Sequence, residues 1–255
     1  MRFRLTESCW SPQQNAALRD VTKWQRSRDQ VFRLFGYAGT GKTELAQHLA
    51  EGVDGDVLFA AFTGKAAHVM RERGCTDAST IHNLIYRLID SEDGPPQFRL
   101  NADSCARRAS LIVIDECSMV NEAIARDLLS FGVKVLAIGD PFQLPQINGG
   151  GYFTEAEPDA MLTEVHRQAR DNPIIRMATI VRNGGQIAGG DYGNSRVIPK
   201  SALGAGEFDR VRLAADQVLV GRNATRRANN SSMRELRGFH GHAAGRWRQD
   251  RVPAQ

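Results

Sequence analysis

The chain has 255 residues, of which 42% are hydrophobic and 24% are charged, the composition of an ordinary globular protein with one large or two smaller domains. Its net charge of +4 is mild, and the excess of arginine over lysine is only weak evidence for a nucleic-acid partner. The segment Met1–Leu5 lacks the apolar core of a signal peptide, and no apolar run approaches the ~20 residues of a membrane span. We therefore expect no membrane association.

The pattern of cysteines indicates a reducing compartment. They are scattered, with no C-x-x-C pair and no metal-ligand spacing. Free thiols are typical of a reducing environment, so the sequence predicts a cytoplasmic protein. The four positions are Cys9, Cys75, Cys105 and Cys117.

The first predicted elements are a helix, a strand and a second helix. Ser11 is placed to cap the first helix, and Pro12 fits its first position. Residues 31–35 form an apolar run typical of a strand, and residues 44–51 predict a helix that ends at Gly52. The glycine-rich segment GYAGTGKT, residues 36–43, lies between these last two elements.

The rest of the chain continues to alternate strands with helices, which predicts a parallel, doubly wound α/β sheet. The apolar periodicity predicts a helix over residues 81–89, and residues 90–108 are expected to be an irregular insertion. The remaining predicted segments are strands at 57–62, 111–114, 133–138, 160–165 and 217–221, helices at 64–73, 173–182 and 224–237, and a loop at 184–209. The glycine run 148–151 predicts a domain boundary, giving domains 1–150 and 151–255.

Residues 36–43 match the complete phosphate-binding pattern G-x-x-x-x-G-K-[ST], in the strand–loop–helix context that the pattern requires. The glycines allow backbone N–H groups to surround a phosphate, and the helix N-terminus adds partial positive charge. Lys42 is expected to reach the β- and γ-phosphates of ATP, and the Thr43 hydroxyl is expected to ligate Mg²⁺. The remaining predicted ATP-binding residues of this loop are Gly36, Gly39, Thr40 and Gly41.

Two further segments that follow strands carry candidate catalytic groups. Asp115 and Glu116 come directly after the strand at 111–114, where ligands bind in parallel sheets. We expect Asp115 to hold Mg²⁺ and Glu116 to act as the base that deprotonates the attacking water. Gln143 follows the next strand and is expected to contact the γ-phosphate or that water, although the turn around it could also be only a proline-rich turn.

The segments GYAGTGKT, AFTGKAA, STIH, LIVIDECSM, GDPFQLPQI and LTEVHRQ occur in this order between residues 36 and 168. Together they resemble the successive motifs of superfamily 1 helicases of the RecD-like group, which move 5′ to 3′ on DNA. The resemblance implies two RecA-like domains with ATP between them and single-stranded DNA across both. It leaves the pathway open among replication, repair and recombination.

The resemblance assigns further roles in the first domain. Gln14 matches a glutamine that reads adenine, although its spacing from Ser11 also fits a capping box. Thr63 and Lys65 match one DNA-contacting motif, and here Phe62 stands where the family usually has proline. The next DNA motif contributes Thr80, which could instead only cap a helix, and His82, which is expected to be exposed and able to stack on a base.

Residues after 150 resemble the family's second domain. Arg167 matches an arginine that stabilises charge on the γ-phosphate, with a surface salt bridge as the alternative. Arg226, Asn230 and Arg234 resemble a later DNA motif, with Asn229 in place of its leucine; they could also form a solvated helix face.

The motif containing Ser-Gln-Gly and the inserted β domain of the family are not found in this sequence. We therefore expect an incomplete second RecA-like domain, and a separate polypeptide could supply the missing part. The leading hypothesis is the N-terminal portion of an ATP-dependent DNA helicase or translocase. The alternatives are a nucleotide-gated DNA-binding module that hydrolyses ATP weakly, and another P-loop motor such as one for DNA packaging.

Overall fold

The computed structural model describes residues 10–91, 94–143, 151–165, 171–204 and 206–239. The chain divides into two compact units, with the boundary between Gln186 and Ile187. Within the described residues, no helix is long and apolar enough to cross a bilayer.

The first unit alternates strands with helices along most of its length. Its elements are α1 (Pro12–Gln25), β1 (Val31–Gly36), α2 (Lys42–Glu51), β2 (Val57–Ala61), α3 (Gly64–Glu72), β3 (Ser79–Thr80), α4 (Ile81–Ile85), β4 (Tyr86–Ser91), β5 (Gly94–Leu100), β6 (Leu111–Asp115), α5 (Glu122–Leu129), β7 (Lys134–Gly139), β8 (Ala160–Leu162) and α6 (Pro173–Arg182).

Six of these strands form one sheet in the spatial order β3-β2-β6-β7-β1-β8. Every neighbouring pair in the sheet is parallel. The carboxyl ends of the strands therefore lie along one edge, where β1 leads into the phosphate loop. The predicted P-loop α/β fold is confirmed.

Alternating strand residues build a separate hydrophobic core on each face of the sheet. Ile112 and Ile114 pack with α4 and α5 on one face. Leu111 and Val113 pack with α1 and α2 on the other. The continuous apolar run at 111–114 follows from this burial, because a strand that is covered on both faces has no polar side.

The prediction for residues 81–108 was wrong in two respects. The helix ends at Ile85 instead of residue 89, and the expected irregular insertion is an antiparallel hairpin of β4 and β5. Leu88 pairs with Phe98, and the Asn101 N–H donates to the Ile85 carbonyl at 2.8 Å to close the base of the hairpin. Apolar residues at positions 86 and 88 also fit the alternation of a strand, so the helical spacing was ambiguous.

The predicted boundary near residue 150 also differs from the structure. Strand β8 pairs with β1 through Leu34 and Ala160, so residues 160–162 complete the first sheet. Phe153 is fully buried in the core against β6 and β7, and the Tyr152 N–H donates to the Val120 carbonyl at 2.9 Å. Residues 148–150 of the glycine run lie outside the described residues, and the first unit continues to Gln186.

The second unit contains a short antiparallel hairpin, β9 (Gly190–Tyr192) with β10 (Ser195–Val197), and two helices, α7 (Glu207–Ala214) and α8 (Asn223–Leu236). The helix predicted at 224–237 is confirmed. The hairpin lies in the segment that was predicted to be loop. Residues 217–220 form no strand, because within the described part of this unit they have no ladder partner, and an isolated extended segment is not stable.

We predict that Phe153→Ala lowers the free energy of unfolding of the first unit by about 3–5 kcal/mol, because it leaves a cavity in the core. The matched control is Phe142→Ala, since Phe142 is 60% exposed. That variant should change stability by about 0.5 kcal/mol or less. Urea unfolding followed by near-UV circular dichroism measures both. An equally small loss for the two variants would contradict the assignment of residues 151–162 to the first unit.

Candidate nucleotide-binding site

The phosphate loop joins β1 to α2 in a conformation that requires glycine. Gly39 and Gly41 have φ angles of 80° and 74°, in the left-handed region. A Cβ atom on Gly36 would lie 2.8 Å from the Leu162 carbonyl oxygen and 2.8 Å from Thr40 Oγ1, so there is no space for a larger residue. The loop leads directly into the N-terminus of α2, the arrangement that binds phosphate.

The side chain of Lys42 donates hydrogen bonds to the backbone of this loop. Its Nζ donates to the carbonyl oxygens of Gly36 at 2.7 Å and Tyr37 at 2.9 Å. Tyr37 O also accepts from Thr40 Oγ1 at 2.8 Å. The lysine therefore lies inside the loop that would surround the phosphates, and these carbonyl contacts stabilise it there.

The charge of Lys42 is balanced by several neighbours. Burial lowers the pKa of Lys42, while the carboxylates of Asp140, Asp115 and Glu116 oppose that effect. The guanidinium of Arg182 lowers the pKa of Lys42 further. Sequence reasoning assigned no role to Asp140 or Arg182. The position of Asp140 directly after a strand was a usable signal, whereas Arg182 ends a helix distant in sequence and gave none.

The two predicted magnesium ligands lie in direct contact. Thr43 Oγ1 donates to Asp115 Oδ2 at 3.1 Å, which joins the start of α2 to the end of β6. Mg²⁺ prefers oxygen donors and usually takes only one or two from the protein, with water and phosphate completing its shell. A hydroxyl beside a carboxylate at the phosphate loop fits that requirement.

Glu116 follows Asp115 with a φ of 55°, which is left-handed and rare for a residue with a side chain. Its N–H donates to Asp115 Oδ1 at 2.9 Å, which favours this turn. Burial raises the pKa of Glu116, and the neighbouring Asp115 carboxylate raises it further, while Lys42 and a hydrogen bond from Gln143 lower it. A glutamate with a raised pKa is a stronger proton acceptor, as a general base requires.

Gln143 is brought to Glu116 by the turn after β7. Within that turn, the Phe142 N–H donates to Asp140 Oδ1 at 3.0 Å, and the Gln143 N–H donates to the Asp140 carbonyl at 3.1 Å. Asp140 is only 5% exposed, so this turn is fixed by a buried carboxylate. The structure thus brings together the predicted residues Lys42, Thr43, Asp115, Glu116 and Gln143.

Gln14 is buried, and its side chain connects α1 to the phosphate loop. Its Oε1 accepts from the Ser11 N–H at 2.8 Å, and its backbone N–H donates to Ser11 Oγ at 3.3 Å, so the capping box is formed. Its Nε2 donates to the Thr40 carbonyl at 3.0 Å.

The predicted DNA residues of the first unit follow β2 and β3 at the carboxyl edge of the sheet, and two of them also have structural roles. Thr63 caps α3 by accepting from the Ala66 N–H at 3.1 Å, and Thr80 caps α4 by accepting from the Asn83 N–H at 3.1 Å. Lys65 is exposed on the first turn of α3.

His82 was expected to be exposed, but it is half-buried in an aromatic cluster. Its ring centroid lies 5.5 Å from Tyr86, 5.8 Å from Phe98 and 6.2 Å from Phe62. Phe98 comes from the hairpin that the sequence did not predict, and it is 62% exposed. The cluster therefore presents a partly exposed aromatic surface at the start of α4.

The remaining predicted residues belong to later segments. Arg226, Asn230 and Arg234 are exposed on α8 of the second unit. Asn229, on the same helix, accepts from Arg212 Nη1 at 2.6 Å. The asparagine that replaces the family's leucine is therefore used in a polar contact between α7 and α8. Arg167 lies outside the described residues.

Comparison with known proteins places this geometry in a family. The profile of an AAA-domain family matches residues 10–198. The chain belongs to this AAA-domain family, and its fold is the P-loop, RecA-like α/β fold. Its resemblance to the RecD-like group of superfamily 1 is confirmed by the ATP-dependent RecD2 DNA helicase of Deinococcus radiodurans, which is 38% identical over 167 residues, or 62% of this chain and 22% of that protein.

Two solved structures of Bacteroides Pif1 helicase show the same fold. A double mutant has a TM-score of 0.52 at 20% identity, over 89% of this chain and 57% of the other. The protein bound to single-stranded DNA has a TM-score of 0.50 at 19% identity, over 89% and 56%. An uncharacterised protein, R530 of Acanthamoeba polyphaga mimivirus, is 28% identical over 46% of this chain and 29% of its own length. The chain thus spans less than a third of the curated relatives and just over half of the Pif1 chains.

We predict that Glu116→Gln stabilises the first unit at pH 8 by about 0.5 kcal/mol or more. Because the pKa of Glu116 is raised in the folded state, ionising it opposes folding, and that penalty is complete only above the folded pKa. The gain should decrease as the pH falls through the folded pKa and disappear below about pH 4, where the glutamate becomes protonated in the unfolded state as well. Urea unfolding at several pH values measures it, with the exposed Glu155→Gln as control. A gain that is independent of pH would contradict the raised pKa.

Proposed function

We propose that this chain is the ATP-hydrolysing portion of a superfamily 1 DNA helicase or translocase that moves 5′ to 3′ on single-stranded DNA. The observation that carries the proposal is the meeting of Lys42, the Thr43–Asp115 pair and the Glu116–Gln143 pair at one edge of the sheet. Its RecD2 relative is an ATP-dependent DNA helicase, which supports the same activity here.

In this proposal, Lys42 exchanges its carbonyl contacts for the β- and γ-phosphate oxygens of ATP. Thr43 and Asp115 hold Mg²⁺, directly or through its water shell. The ion, when bound, neutralises charge on the phosphate oxygens. This assignment explains why a partly buried lysine lies among three carboxylates: the same position must attract both a polyphosphate and a cation.

Glu116 and Gln143 act on the water molecule that attacks the γ-phosphate. Gln143 orients the water, and Glu116 accepts its proton as the water oxygen forms a bond to the γ-phosphorus. The bond from that phosphorus to the β–γ bridging oxygen breaks, and ADP leaves with the bonding electrons. We propose that Arg167 stabilises the charge that develops on the γ-phosphate, as the resemblance implies.

Single-stranded DNA is proposed to cross the carboxyl edge of the first unit. Lys65 is placed to bind a backbone phosphate, and the surface of His82 and Phe98 is placed to stack on bases. A Pif1 protein of the same fold binds single-stranded DNA, which supports single-stranded DNA as the ligand here. Arg226, Asn230 and Arg234 of the second unit are proposed as further phosphate contacts.

A second candidate is a nucleotide-gated DNA-binding module with weak hydrolysis. The same phosphate-loop contacts of Lys42 would serve such a module, in which nucleotide binds and hydrolysis is slow. A DNA-packaging motor receives no support from the relatives, one of which is named a DNA helicase. The rate of ATP hydrolysis with and without single-stranded DNA separates the two candidates.

For the nucleotide site, we predict that Lys42→Ala weakens Mg·ATP binding at least ~10-fold, because it removes a charge-assisted contact to the phosphates. Glu116→Gln should bind ATP as the wild type does and hydrolyse it at least ~100-fold more slowly, because it loses the general base. Lys23→Ala is the control, since Lys23 is an exposed lysine outside the site. Titration calorimetry measures binding, and phosphate release measures hydrolysis. Equal affinity of the Lys42→Ala variant and the wild type would refute the site.

For the DNA surface, we predict that Lys65→Ala and Phe98→Ala weaken single-stranded DNA binding in different ways. Loss of Lys65 should reduce the slope of log affinity against log salt by about 0.7, because one phosphate contact is lost. Loss of Phe98 should leave that slope unchanged and cost about 1–3 kcal/mol in stacking. Fluorescence anisotropy of a labelled oligonucleotide at several salt concentrations measures both, with Lys23→Ala as control. Unchanged affinity in both variants would place the DNA elsewhere.

A further inference from the structure

Arg182, the last residue of α6, lies over an aromatic side chain of the phosphate loop. Its Cζ atom is 3.7 Å from the ring centroid of Tyr37 and 5.8 Å from that of Phe142. The two rings are themselves in edge contact, with their centroids 5.7 Å apart. A helix that follows the sheet thus places a guanidinium against the loop and against the turn that carries Gln143.

Backbone hydrogen bonds fix the position of Tyr37, whose ring lies under Arg182. The Tyr37 N–H donates to the Leu162 carbonyl at 3.0 Å, and the Tyr37 carbonyl accepts from Lys42 Nζ at 2.9 Å. Because the backbone of Tyr37 is bound on both sides, its ring holds the guanidinium in a defined place. Cation–π stacking of this kind is attractive and favours this position of the guanidinium.

The charge around Arg182 is unbalanced. Among the residues that the structure describes, no carboxylate lies within ion-pair distance of its guanidinium. It lies close enough to Lys42 to disfavour the charged form of that lysine. Two cations that repel each other at the mouth of a phosphate loop are stabilised when an anion is placed between them.

The position of Arg182 also indicates which part of a nucleotide it meets. Phe142 is next to Gln143, which hydrogen-bonds to Glu116, the group assigned to the attacking water. The arginine therefore lies on the side of the loop to which the terminal phosphate and the attacking water are assigned. A planar guanidinium is well suited to bind two oxygens of one phosphate at once.

We infer that Arg182 is a phosphate-binding residue that discriminates in favour of nucleoside triphosphates by contacting the terminal phosphate. Tyr37 and Phe142 hold the guanidinium in the structure, and on triphosphate binding the guanidinium moves to the terminal phosphate. This inference rests on the proposed ATP site and adds a second cation to Lys42. It is independent of Arg167.

The test compares two nucleotides on the full 255-residue chain. Titration calorimetry with Mg²⁺ is performed with a non-hydrolysable ATP analogue and with ADP. Arg182→Ala should weaken the analogue about 10-fold and ADP less than about 2-fold, because ADP lacks the phosphate concerned. Arg182→Lys should recover part of the loss. The matched control is Arg176→Ala, since Arg176 is an exposed arginine on the same helix and should change neither affinity.

Other outcomes overturn the inference. An equal loss for both nucleotides would mean that Arg182 only supports the shape of the loop, and no loss for either would mean that it only packs on Tyr37. Circular dichroism confirms that each variant is folded, and Arg182→Lys provides the comparison if the alanine variant is not. Lys42→Ala distinguishes a failure of the ATP-site assignment from a failure of the inference about Arg182. If it abolishes binding of both nucleotides while Arg182→Ala has no effect, the ATP site stands and only this inference fails.

Discussion

The parallel register of β1, β6 and β7 is the constraint on which the site depends. Phe35 pairs with Gly139 and Ile114 pairs with Ala137, so the three strands end level with one another. A parallel sheet covered by helices on both faces leaves only its edges open, and the carboxyl edge is where the connecting loops can carry polar groups. The phosphate loop, the Asp115–Glu116 pair and the turn after β7 are adjacent because their strands are neighbours. A change of strand order would separate them.

The charged groups at this edge of the sheet partly compensate one another. Lys42 is held by two backbone carbonyls and surrounded by three carboxylates, which offsets part of the cost of burying its charge. Glu116 is less well compensated, since both burial and Asp115 oppose its ionisation. Binding of a polyphosphate with a divalent cation would place new charges of both signs among these groups. The site is thus built to exchange one set of charge contacts for another at little net cost.

The fold of the first unit and most of its site could be predicted, because they depend on local patterns. Three such features can be recognised from the sequence alone: the phosphate-loop spacing, the apolar strand at 111–114 and the acids that follow it. The hairpin at 86–100 could not be predicted, since its pairing competes with a helical pattern that is equally apolar. The stack of Arg182 on Tyr37 joins residues 145 positions apart by numbering, and no local pattern reports such a contact. Glu116's left-handed backbone was equally invisible, because nothing in the residue type requires it.

The second unit is held together by different forces, and this limits what it can do alone. Arg212 is the buried centre of its helix pair, and it donates to Asn229 and Ser232 and pairs with Asp209. Leu219, by contrast, is 82% exposed. A buried ion pair costs desolvation and adds little net stability, whereas an apolar core would add much more. The described part of this unit therefore gains less from burial than the first unit does. It follows that the geometry of Arg226, Asn230 and Arg234 on α8 depends on a polar network, and DNA contacts made by that helix are easier to disturb than those of the first unit.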